Sequence, residues 1–446
     1  MPSRETDFAV LGCGWAGLLL SLRLKEKYPS AKVICIDKDE ALGGLLRSEL
    51  IDGFTFDVGG SHILFSRDQE VLRELLGFLG DNFVKHERKS FILYNGYKVP
   101  YPFENGLFVL PPETRAEMLI GFVEALIKNA RGDAKVSNLR EWAELFFGKT
   151  IAQEYLIPYN EKIWKRSAGD IDSDWLYVPG RLPWPDWRDI VKSATGVPTV
   201  GYAEQATFYY PLRGGIQSLF NSVLHRALSQ GVEVLAGVEV KEVVKGEKWL
   251  VNRMVEARHV FSTIPLVDLL KALDPPSDIK RAASQLEHNK VIVVGVALRK
   301  AAPQEHWIYV PQRDIIFHRY AWISNYSPLN APRGSSSLIA EITLEPAAKV
   351  DKEKIEEAVV DGLKNIGVLS ETGNELRLVR SWAHKYGYPV YTRGHAESRK
   401  SILEYLSQLG ILSVGRWGSW HYWNMDKVLV EVNKLVNDFY SKSQAY

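Results

Sequence analysis

One stretch near the amino terminus constrains the fold of this chain more than any other. The apolar run Phe8–Leu11 predicts a buried strand, and apolar residues at helical spacing in Leu18–Leu24 predict a helix. Between them, Gly12, Gly14 and Gly17 follow the G-x-G-x-x-G spacing. The first glycine permits a tight turn, the second permits close approach of a pyrophosphate, and the third permits close packing of helix on strand.

A second apolar run, Val33–Ile36, ends at Asp37, which lies twenty residues after Gly17. A carboxylate at this distance can accept hydrogen bonds from a ribose hydroxyl, while phosphates bind the free N–H groups at the helix amino terminus. The order of strand, glycine loop, helix, strand and acid therefore predicts dinucleotide binding. The alternative is a tight turn in an ordinary α/β protein.

Length and composition limit the number of domains and the classes of partner that this chain can have. The chain has 446 residues with 46% hydrophobic content, which is enough for two or three domains or one interleaved assembly. A net charge of +1 gives no reason to expect a nucleic-acid partner. No run of eighteen apolar residues occurs, so we expect no membrane partner. Only Cys13 and Cys35 are present, and without a secretory signal they indicate reduced thiols and a cytoplasmic location.

Two further glycine pairs indicate which dinucleotide is bound. Gly43-Gly44 follows the second strand, and Gly59-Gly60 follows a predicted hairpin that turns at Asp52-Gly53. A glycine pair beyond a Rossmann unit suggests backbone packed against a flat cofactor, which is commoner in flavin proteins than in nicotinamide dehydrogenases. The alternative for the second pair is a loop hinge.

The rest of the chain alternates between helical and strand-rich segments. Residues 68–160 are predicted to be mostly helical, although a hairpin turning at Asn95-Gly96 interrupts them, and residues 151–157 are predicted as one helix. Residues 175–207 are rich in Trp, Pro and Gly and are predicted to be irregular. Beyond residue 290, several runs, including 315–323, predict a largely antiparallel sheet, before a Rossmann-like strand near residue 412 and a final amphipathic helix.

These segments predict an α/β fold with three parts. Residues 1–65, 205–265 and 400–446 form a discontinuous Rossmann-type domain that binds the dinucleotide. Residues 66–204 form an inserted, mainly helical substrate domain, and residues 266–399 form an inserted antiparallel sheet domain.

The sequence indicates no metal site, because the ten His residues never fall at ligand spacing with Cys or acids. It also shows no Ser-His-Asp order that is typical of a hydrolase. Arg and Tyr are instead concentrated in aromatic-rich segments. Guanidinium groups grip phosphates through paired hydrogen bonds, and Tyr rings stack on sugars or bases. As a set these residues favour a diphosphate ligand beside a flavin, although each Tyr or Trp alone is more typical of a core. They are Tyr159, Trp164, Arg181, Trp307, Tyr309, Arg319, Tyr326, Tyr388, Arg416 and Tyr422.

The chain resembles the UDP-galactopyranose mutases, and more closely their eukaryotic branch. The similar stretches are GCGWAG, ALGGLLRS, FDVGGSHILF, VPYPFEN, PYNEKIW, ATFYYPLRGG, FHRYAWISNYSP, YGYP and GRWGSWHYWNMD. The glycine motifs are shared by all flavin amine-oxidase-like enzymes, whereas PYNEKIW and HRYAWISNYSP are much more specific.

The resemblance implies an FAD-dependent isomerase, an intramolecular transferase, that interconverts UDP-galactopyranose and UDP-galactofuranose. The flavin must be reduced, NAD(P)H is a candidate reductant, and flavin N5 attacks the anomeric carbon with no net redox change. The implied partner is a nucleotide sugar, most simply UDP-galactose; the oligomeric state is left open. Two alternatives remain: an amine or protoporphyrinogen oxidase, and an idle nucleotide-sugar-binding flavoprotein.

Matched position by position, the resemblance also implies residue roles. The catalytic residues would be His62 beside the isoalloxazine, and Arg181 and Arg319 on the diphosphate. The cofactor-binding residues would be Gly12, Gly14, Gly17, Asp37, Gly43, Gly44, Leu45, Gly60, Ser61, Val240, Gly415, Arg416, Asn424, Met425 and Asp426. The substrate-binding residues would be Tyr101, Glu104, Tyr159, Asn160, Trp164, Arg181, Trp307, Tyr309, Arg319, Tyr326, Tyr388 and Tyr422.

The chain departs from the family at three positions. Ser61 separates the glycine pair from His62, where the family usually has His directly after the pair. Asp37 replaces the Glu that often ends the second strand. Glu104 occupies the place of an amide in the eukaryotic branch, and a carboxylate facing a nucleotide is unfavourable unless it is paired or protonated.

Overall fold

The computed structural model describes residues 4–130, 136–177, 186–199, 201 and 206–444. The strands in these ranges are β1 Arg4–Leu11, β2 Val33–Ile36, β3 Ser48–Ile51, β4 Phe54–Asp57, β5 Phe83–Glu87, β6 Ser90–Tyr94, β7 Tyr97–Pro100, β8 Thr207–Pro211, β9 Val232–Leu235, β10 Val243–Lys245, β11 Trp249–Val251, β12 Val255–Ser262, β13 Glu287–Leu298, β14 Trp307–Tyr309, β15 Arg319–Ala321, β16 Ser336–Leu344, β17 Leu376–Val390 and β18 Ile411–Ser413.

The α-helices in the same ranges are α1 Trp15–Lys27, α2 Gln69–Leu79, α3 Pro112–Ala130, α4 Leu139–Phe147, α5 Lys149–Ile151, α6 Ile157–Trp164, α7 Trp187–Ala194, α8 Gln217–Ser229, α9 Leu266–Leu273, α10 Ser277–Ser284, α11 Lys352–Asn365, α12 His395–Leu409, α13 Gly415–Gly418 and α14 Met425–Gln444.

The first sheet contains the predicted Rossmann unit. Its strand order is β10-β11-β12-β1-β2-β9, with β18 also paired to β12. The pairs β12–β1, β1–β2, β2–β9 and β12–β18 are parallel, and only the β10-β11-β12 meander is antiparallel. Helix α1 connects β1 to β2 and packs against α8 and α14. Because parallel strands are covered on both faces, Ala9, Val10 and Leu11 are all fully buried.

The turn from β1 into α1 depends on two of the motif glycines. Gly12 has φ +91°, a left-handed conformation that glycine adopts readily. A Cβ atom on Gly17 would lie 1.7 Å from the carbonyl oxygen of Gly12. A Cβ on Gly14 would meet no atom within 4 Å. The first and third glycines are therefore required by packing, whereas the second leaves space open.

The second sheet has the order β17-β13-β16-β15-β14-β6-β7 and is antiparallel except at β14–β6. Residues of β13 alternate between its two faces: Ile292 and Val294 pack towards α11, and Val291 and Val293 pack towards the first sheet and its loops. The hairpin β6–β7, which the sequence places in the helical segment, supplies two strands of this sheet.

Three local predictions differ from the structure. The helix predicted over 151–157 begins as α5, passes through a π-helical turn at Ala152–Leu156 and continues as α6. The segment 175–207, predicted to be irregular, contains α7, which starts at an Asp186 side-chain cap. The strand predicted over 315–323 is restricted to β15.

The α/β fold class is confirmed: a Rossmann-type sheet carries inserted helices and a largely antiparallel sheet. Within the described ranges, no helix combines the length and the apolar character that crossing a membrane requires.

The glycine geometry predicts opposite outcomes for two similar substitutions. Gly17→Ala forces a methyl group into the Gly12 carbonyl, so we expect a loss of about 3 kcal/mol or more in the free energy of unfolding. Gly14→Ala, the matched control, should cost less than about 1 kcal/mol because its methyl group enters open space. Denaturant unfolding of the two variants measures this difference, and equal stabilities would contradict the packing role of Gly17.

Candidate functional site

A cavity of about 1590 Å³ lies between the two sheets. One end is lined by the glycine loops after β1, β2 and β4 and by the start of α14. The other end is lined by residues of α6, of β14 to β17 and of the segment after β7. Single small-molecule sites usually enclose about 300–1,000 Å³. This cavity therefore has room for two ligands placed end to end.

Two helix amino termini meet at the glycine-lined end. Helix α1 begins after Gly14 with no side-chain cap, and α14 begins at Met425. The indole N–H of Trp15 donates to the Met425 carbonyl (3.1 Å) and so ties the two termini together. Because helix amino termini carry partial positive charge and free N–H groups, this end of the cavity suits an anion such as a pyrophosphate.

Asp37 is held in place by two backbone donors. The Cys13 N–H donates to Oδ2 (2.6 Å) and the Asp39 N–H donates to Oδ1 (2.9 Å). Burial raises the pKa of the Asp37 carboxyl above its ordinary value, although these N–H groups oppose the shift. Each carboxylate oxygen keeps a further lone pair for a ribose hydroxyl.

Most residues expected to bind the cofactor line the cavity. These are Gly12, Gly14, Asp37, Gly43, Gly44, Leu45, Gly60, Ser61, Val240, Arg416, Asn424, Met425 and Asp426. Gly17 and Gly415 are not among the lining residues, because each fills a packing position: a Cβ on Gly415 would lie 2.6 Å from the Cβ of Ala16. Both glycines allow α1 to pack closely against its neighbours.

The Gly60–His62 loop fixes the tautomer of its own histidine. The His62 ring nitrogen Nδ1 lies 2.9 Å from the Gly60 carbonyl oxygen, and since a carbonyl only accepts, Nδ1 carries the proton. Desolvation, together with the charge of Arg416, lowers the pKa of His62 to about 4. Its imidazole is therefore neutral near pH 7, with Nε2 as an acceptor.

A buried ion pair lies beside this loop. Nη2 of Arg319 donates to both carboxylate oxygens of Glu341 (2.6 and 2.7 Å), and Glu341 is 1% exposed. The same carboxylate accepts from the Ser61 N–H (2.9 Å) and from the Tyr388 hydroxyl (3.4 Å). Burial by itself would raise the pKa of Glu341, but the charge of Arg319 and the hydrogen bonds from Arg319 and Ser61 act together with its other neighbours to hold the pKa below its ordinary value. Both groups therefore stay charged and form a neutral pair.

Aromatic rings line the far end of the cavity. The ring centroids of Tyr101 and Tyr309 are 5.3 Å apart, and those of Tyr159 and Tyr309 are 5.4 Å apart. The Arg88 guanidinium lies 4.2 Å from the ring centroid of Tyr101 and 4.7 Å from that of Trp307. A stacked cation beside phenol rings is suited to a ligand that carries both a planar base and phosphate groups.

A second aromatic group lies next to it. The rings of Tyr388 and Tyr422 stack at 5.4 Å and 13°, and Trp164 contacts both edge-on. The Trp164 indole N–H donates to Asn160 Oδ1 (3.0 Å), which fixes the indole plane. The Arg416 guanidinium covers the Tyr422 ring at 4.7 Å. This group joins the aromatic end of the cavity to the cofactor end.

The structure places the residues predicted to bind substrate as follows. Those that line the cavity are Tyr101, Glu104, Tyr159, Asn160, Trp164, Trp307, Tyr309, Arg319, Tyr388 and Tyr422. Arg181 lies outside the described residues. Tyr326 is fully buried and does not line the cavity; its hydroxyl lies 2.6 Å from Ser61 Oγ and supports the loop from behind.

Sequence reasoning missed many of the cavity residues, among them Glu341, Arg88 and His318. Glu341 is the one acidic residue inside the apolar run of β16, and a lone charge in such a run could have drawn attention to it. Arg88 lies in a charged segment with no distinguishing pattern, and His318 precedes the predicted Arg319 directly.

Together, the Rossmann sheet, the paired helix amino termini and the glycine-lined cavity define a dinucleotide-binding protein of the flavin class. A Cβ atom on Gly14 would meet no atom within 4 Å, and Gly44 lines the same end of the cavity. A cofactor therefore has room to lie against the backbone there. The sequence profile of the flavin-containing amine oxidoreductases matches residues 15–424. The chain belongs to this family, and its cofactor is FAD.

Solved structures with the same fold are described as having different activities. A reduced UDP-galactopyranose mutase superposes with a TM-score of 0.87 at 23% identity, covering 97% of this chain and 95% of that one. A protein described as a putative protoporphyrinogen oxidase from Exiguobacterium sp. 255-15 gives 0.75 at 17% identity, covering 99% and 100%. A putrescine oxidase variant gives 0.67 at 15%, covering 99% and 100%. At these identities the likeness establishes the fold.

A curated relative matches a short stretch of this chain. An uncharacterised protein encoded in the nifH2 3′ region of Methanothermococcus thermolithotrophicus is 41% identical over 66 residues, or 15% of this chain. The match spans 62% of that relative's own length.

The lowered pKa of His62 predicts a specific pH effect on stability. Between about pH 6.5 and 4 the unfolded chain binds a proton at His62 and the folded chain does not, so the free energy of unfolding falls as the pH falls through this window. His62→Asn should reduce the loss between pH 7.5 and 4.5 by about 2 kcal/mol. Denaturant unfolding at both pH values measures it, with exposed His225→Asn as the control. An unchanged acid loss in His62→Asn would refute the neutral buried imidazole.

The buried Arg319–Glu341 pair predicts that two Glu→Gln substitutions differ strongly in their effect on the free energy of unfolding. Glu341→Gln leaves the Arg319 charge without its partner and should cost about 3–5 kcal/mol in the free energy of unfolding. Glu431, whose carboxylate pairs with Lys427 at 2.6 Å on the partly exposed side of α14, is the matched control. Glu431→Gln should cost at most about 0.5 kcal/mol. Similar losses in the two variants would show that the Glu341 pair contributes little.

Proposed function

We propose that the protein is a nucleotide-sugar mutase that interconverts UDP-galactopyranose and UDP-galactofuranose on reduced FAD. The observation that carries this proposal is the chemistry of the aromatic end of the cavity, which we call the second compartment. It continues from the flavin end, and its walls carry phenol rings and two guanidinium groups, those of Arg88 and Arg319. A nucleoside diphosphate sugar presents a planar base, two phosphates and a polyol, and each part has a matching surface there.

The polarity of the compartment favours this substrate over an apolar or amine substrate. Tyr101, Tyr159, Tyr309 and Tyr388 place several hydroxyl-bearing rings along the wall. A cationic amine is best stabilised by an excess of negative charge, whereas here the Glu341 carboxylate is neutralised by Arg319 and the Arg88 guanidinium already lies against the aromatic rings of Tyr101 and Trp307. The arginines therefore favour an anionic ligand over a cationic one at this part of the wall, and Glu104 is the one predicted substrate-binding residue that opposes it.

Bound and reduced, FAD supplies an electron-rich nitrogen nucleophile for the anomeric carbon and keeps its electrons over the whole cycle. The protein residues bind and orient the substrate. As the bond from the sugar to the diphosphate breaks, negative charge grows on the leaving group, and preorganised N–H donors stabilise that charge more than the ground state. Arg319 suits this role, because Glu341 holds its guanidinium in one orientation.

The neutral His62 provides a second contribution. With Nδ1–H donated to the Gly60 carbonyl, Nε2 is left as an acceptor on the cofactor side of the cavity. A neutral imidazole adds no positive charge that would compete with the arginines for the diphosphate. The stacked rings of Tyr388 and Tyr422 and the edge of Trp164 give the wall between the two ends of the cavity an apolar surface.

The proposal predicts exchange between pyranose and furanose forms only with reduced flavin. Purified holoenzyme is treated with dithionite and incubated with UDP-galactopyranose and UDP-galactofuranose, and the ratio of the two is followed by chromatography. We expect exchange without stoichiometric consumption of reductant.

Arg319→Lys keeps the charge but loses the paired donors and should lower turnover by roughly 10²–10³-fold. The exposed Arg313→Lys is the control and should leave turnover unchanged.

The main alternative is a flavin oxidase acting on an amine or a porphyrinogen, which the family and two of the structural neighbours make relevant. It predicts oxygen consumption and peroxide in proportion to product, with oxidised flavin as the active form. Activity of this kind, together with no exchange of nucleotide sugars, would overturn the mutase proposal.

A further inference from the structure

Helix α3 is apolar on two opposite faces, and only one of them is buried. Met118, Phe122 and Ala125 are buried, where α3 packs against α4, α5 and α7. On the opposite face, Ile120 is 59% exposed and Ile127 is 51% exposed. Isolated exposed apolar residues are ordinary, but several large ones on one helix face form a patch of the kind that marks an interaction site.

The exposed apolar residues of α3 follow one line along the helix. Ala116, Ile120, Val123, Ile127 and Ala130 are all exposed, and they follow one another at steps of four, three, four and three residues. Such steps keep side chains on one face of a helix, and they are the spacing through which helices pack against other helices. We call this line of five residues the α3 seam.

The α3 seam has the same residue order in both directions: Ala, Ile, Val, Ile, Ala. A two-fold axis through Val123 would set α3 antiparallel to its copy, with Ile120 of one copy opposite Ile127 of the other. In a two-fold interface each surface patch meets an identical patch, so the patch must be complementary to itself. The α3 seam meets this requirement in the order of its large and small side chains.

The charges beside the α3 seam match the same arrangement. Glu117 and Lys128 lie on one edge of the seam, at nearly equal distances before and after Val123, and both are exposed. Antiparallel packing would bring Glu117 of each copy level with Lys128 of the other, whereas parallel packing would set Glu117 beside Glu117. It would also align the two helix dipoles favourably.

The length of α3 limits the strength of such a contact. The helix has 19 residues and is therefore about 28 Å long. A single pair of helices of this length forms a small interface, and small interfaces are typical of weak complexes. We therefore expect dissociation in the micromolar range.

We propose that the α3 seam binds a second copy of this chain, by antiparallel packing about a two-fold axis near Val123. A different partner protein would not require a surface that is complementary to itself in both residue order and charge. The inference does not depend on the proposed mutase function, because no residue of α3 is among the described residues that line the cavity.

Sedimentation velocity of the full-length holoenzyme, at about 1 to 100 μM, measures the association. We expect wild type to change from monomer to dimer over this range. Ile120→Glu places a charge in the seam of both copies and should raise the Kd at least about tenfold. Leu228→Glu changes an exposed apolar residue of α8 and is the matched control, with an unchanged Kd. Ile127→Glu replaces Ile120→Glu if that variant loads less flavin than wild type.

Charge reversal tests the antiparallel orientation. Glu117→Lys and Lys128→Glu each set like charges together at both ends of the interface, so each variant alone should dimerise about fivefold more weakly than wild type. An equimolar mixture of the two variants should regain the wild-type Kd, because the mixed dimer again brings opposite charges together at both ends.

The outcomes distinguish this dimer from other occupants of the face. A wild type that stays monomeric at about 100 μM, or a dimer that persists in both Ile120→Glu and Ile127→Glu, would overturn the proposal. Weak association of both charge variants without recovery in their mixture would overturn the antiparallel arrangement. A monomeric wild type that binds vesicles of anionic phospholipid through Ile120 would overturn the dimer and assign the face to a membrane surface.

Discussion

The carboxylate of Glu341 connects the two halves of this molecule. It lies on β16 of the antiparallel sheet, pairs with Arg319 on the next strand and accepts the Ser61 N–H from the loop that follows β4. A buried carboxylate is costly unless it is fully paired, so these contacts must form together. The loop that carries His62 is therefore held against the second sheet by one ionised side chain, in addition to the apolar packing between the two sheets.

The two ends of the cavity obtain positive potential by different physical means. At the cofactor end, backbone N–H groups and the dipoles of α1 and α14 provide the positive potential, and glycines allow close approach. At the far end, guanidinium groups provide it, with aromatic rings in place of glycines.

The fold alone does not choose between the activities found on it. Structures with TM-scores of 0.87, 0.75 and 0.67 against this chain are described as a mutase, a putative protoporphyrinogen oxidase and a putrescine oxidase. Function in such a family depends on the chemistry of the substrate compartment. Here that compartment carries arginine and tyrosine, so the mutase proposal rests on side chains and not on the superposition.

The amino-acid sequence by itself determined the local features: the strand–glycine–helix unit ending at Asp37, the hairpin at Asp52-Gly53 and the fold class. These follow from periodicity and backbone sterics over short stretches. Tertiary structure alone decided that β6 and β7 join the second sheet, that Tyr326 lies behind the wall and that Glu341 neutralises Arg319. Such contacts join residues far apart in the chain, and burial and pairing energies select them only when the sheets are assembled.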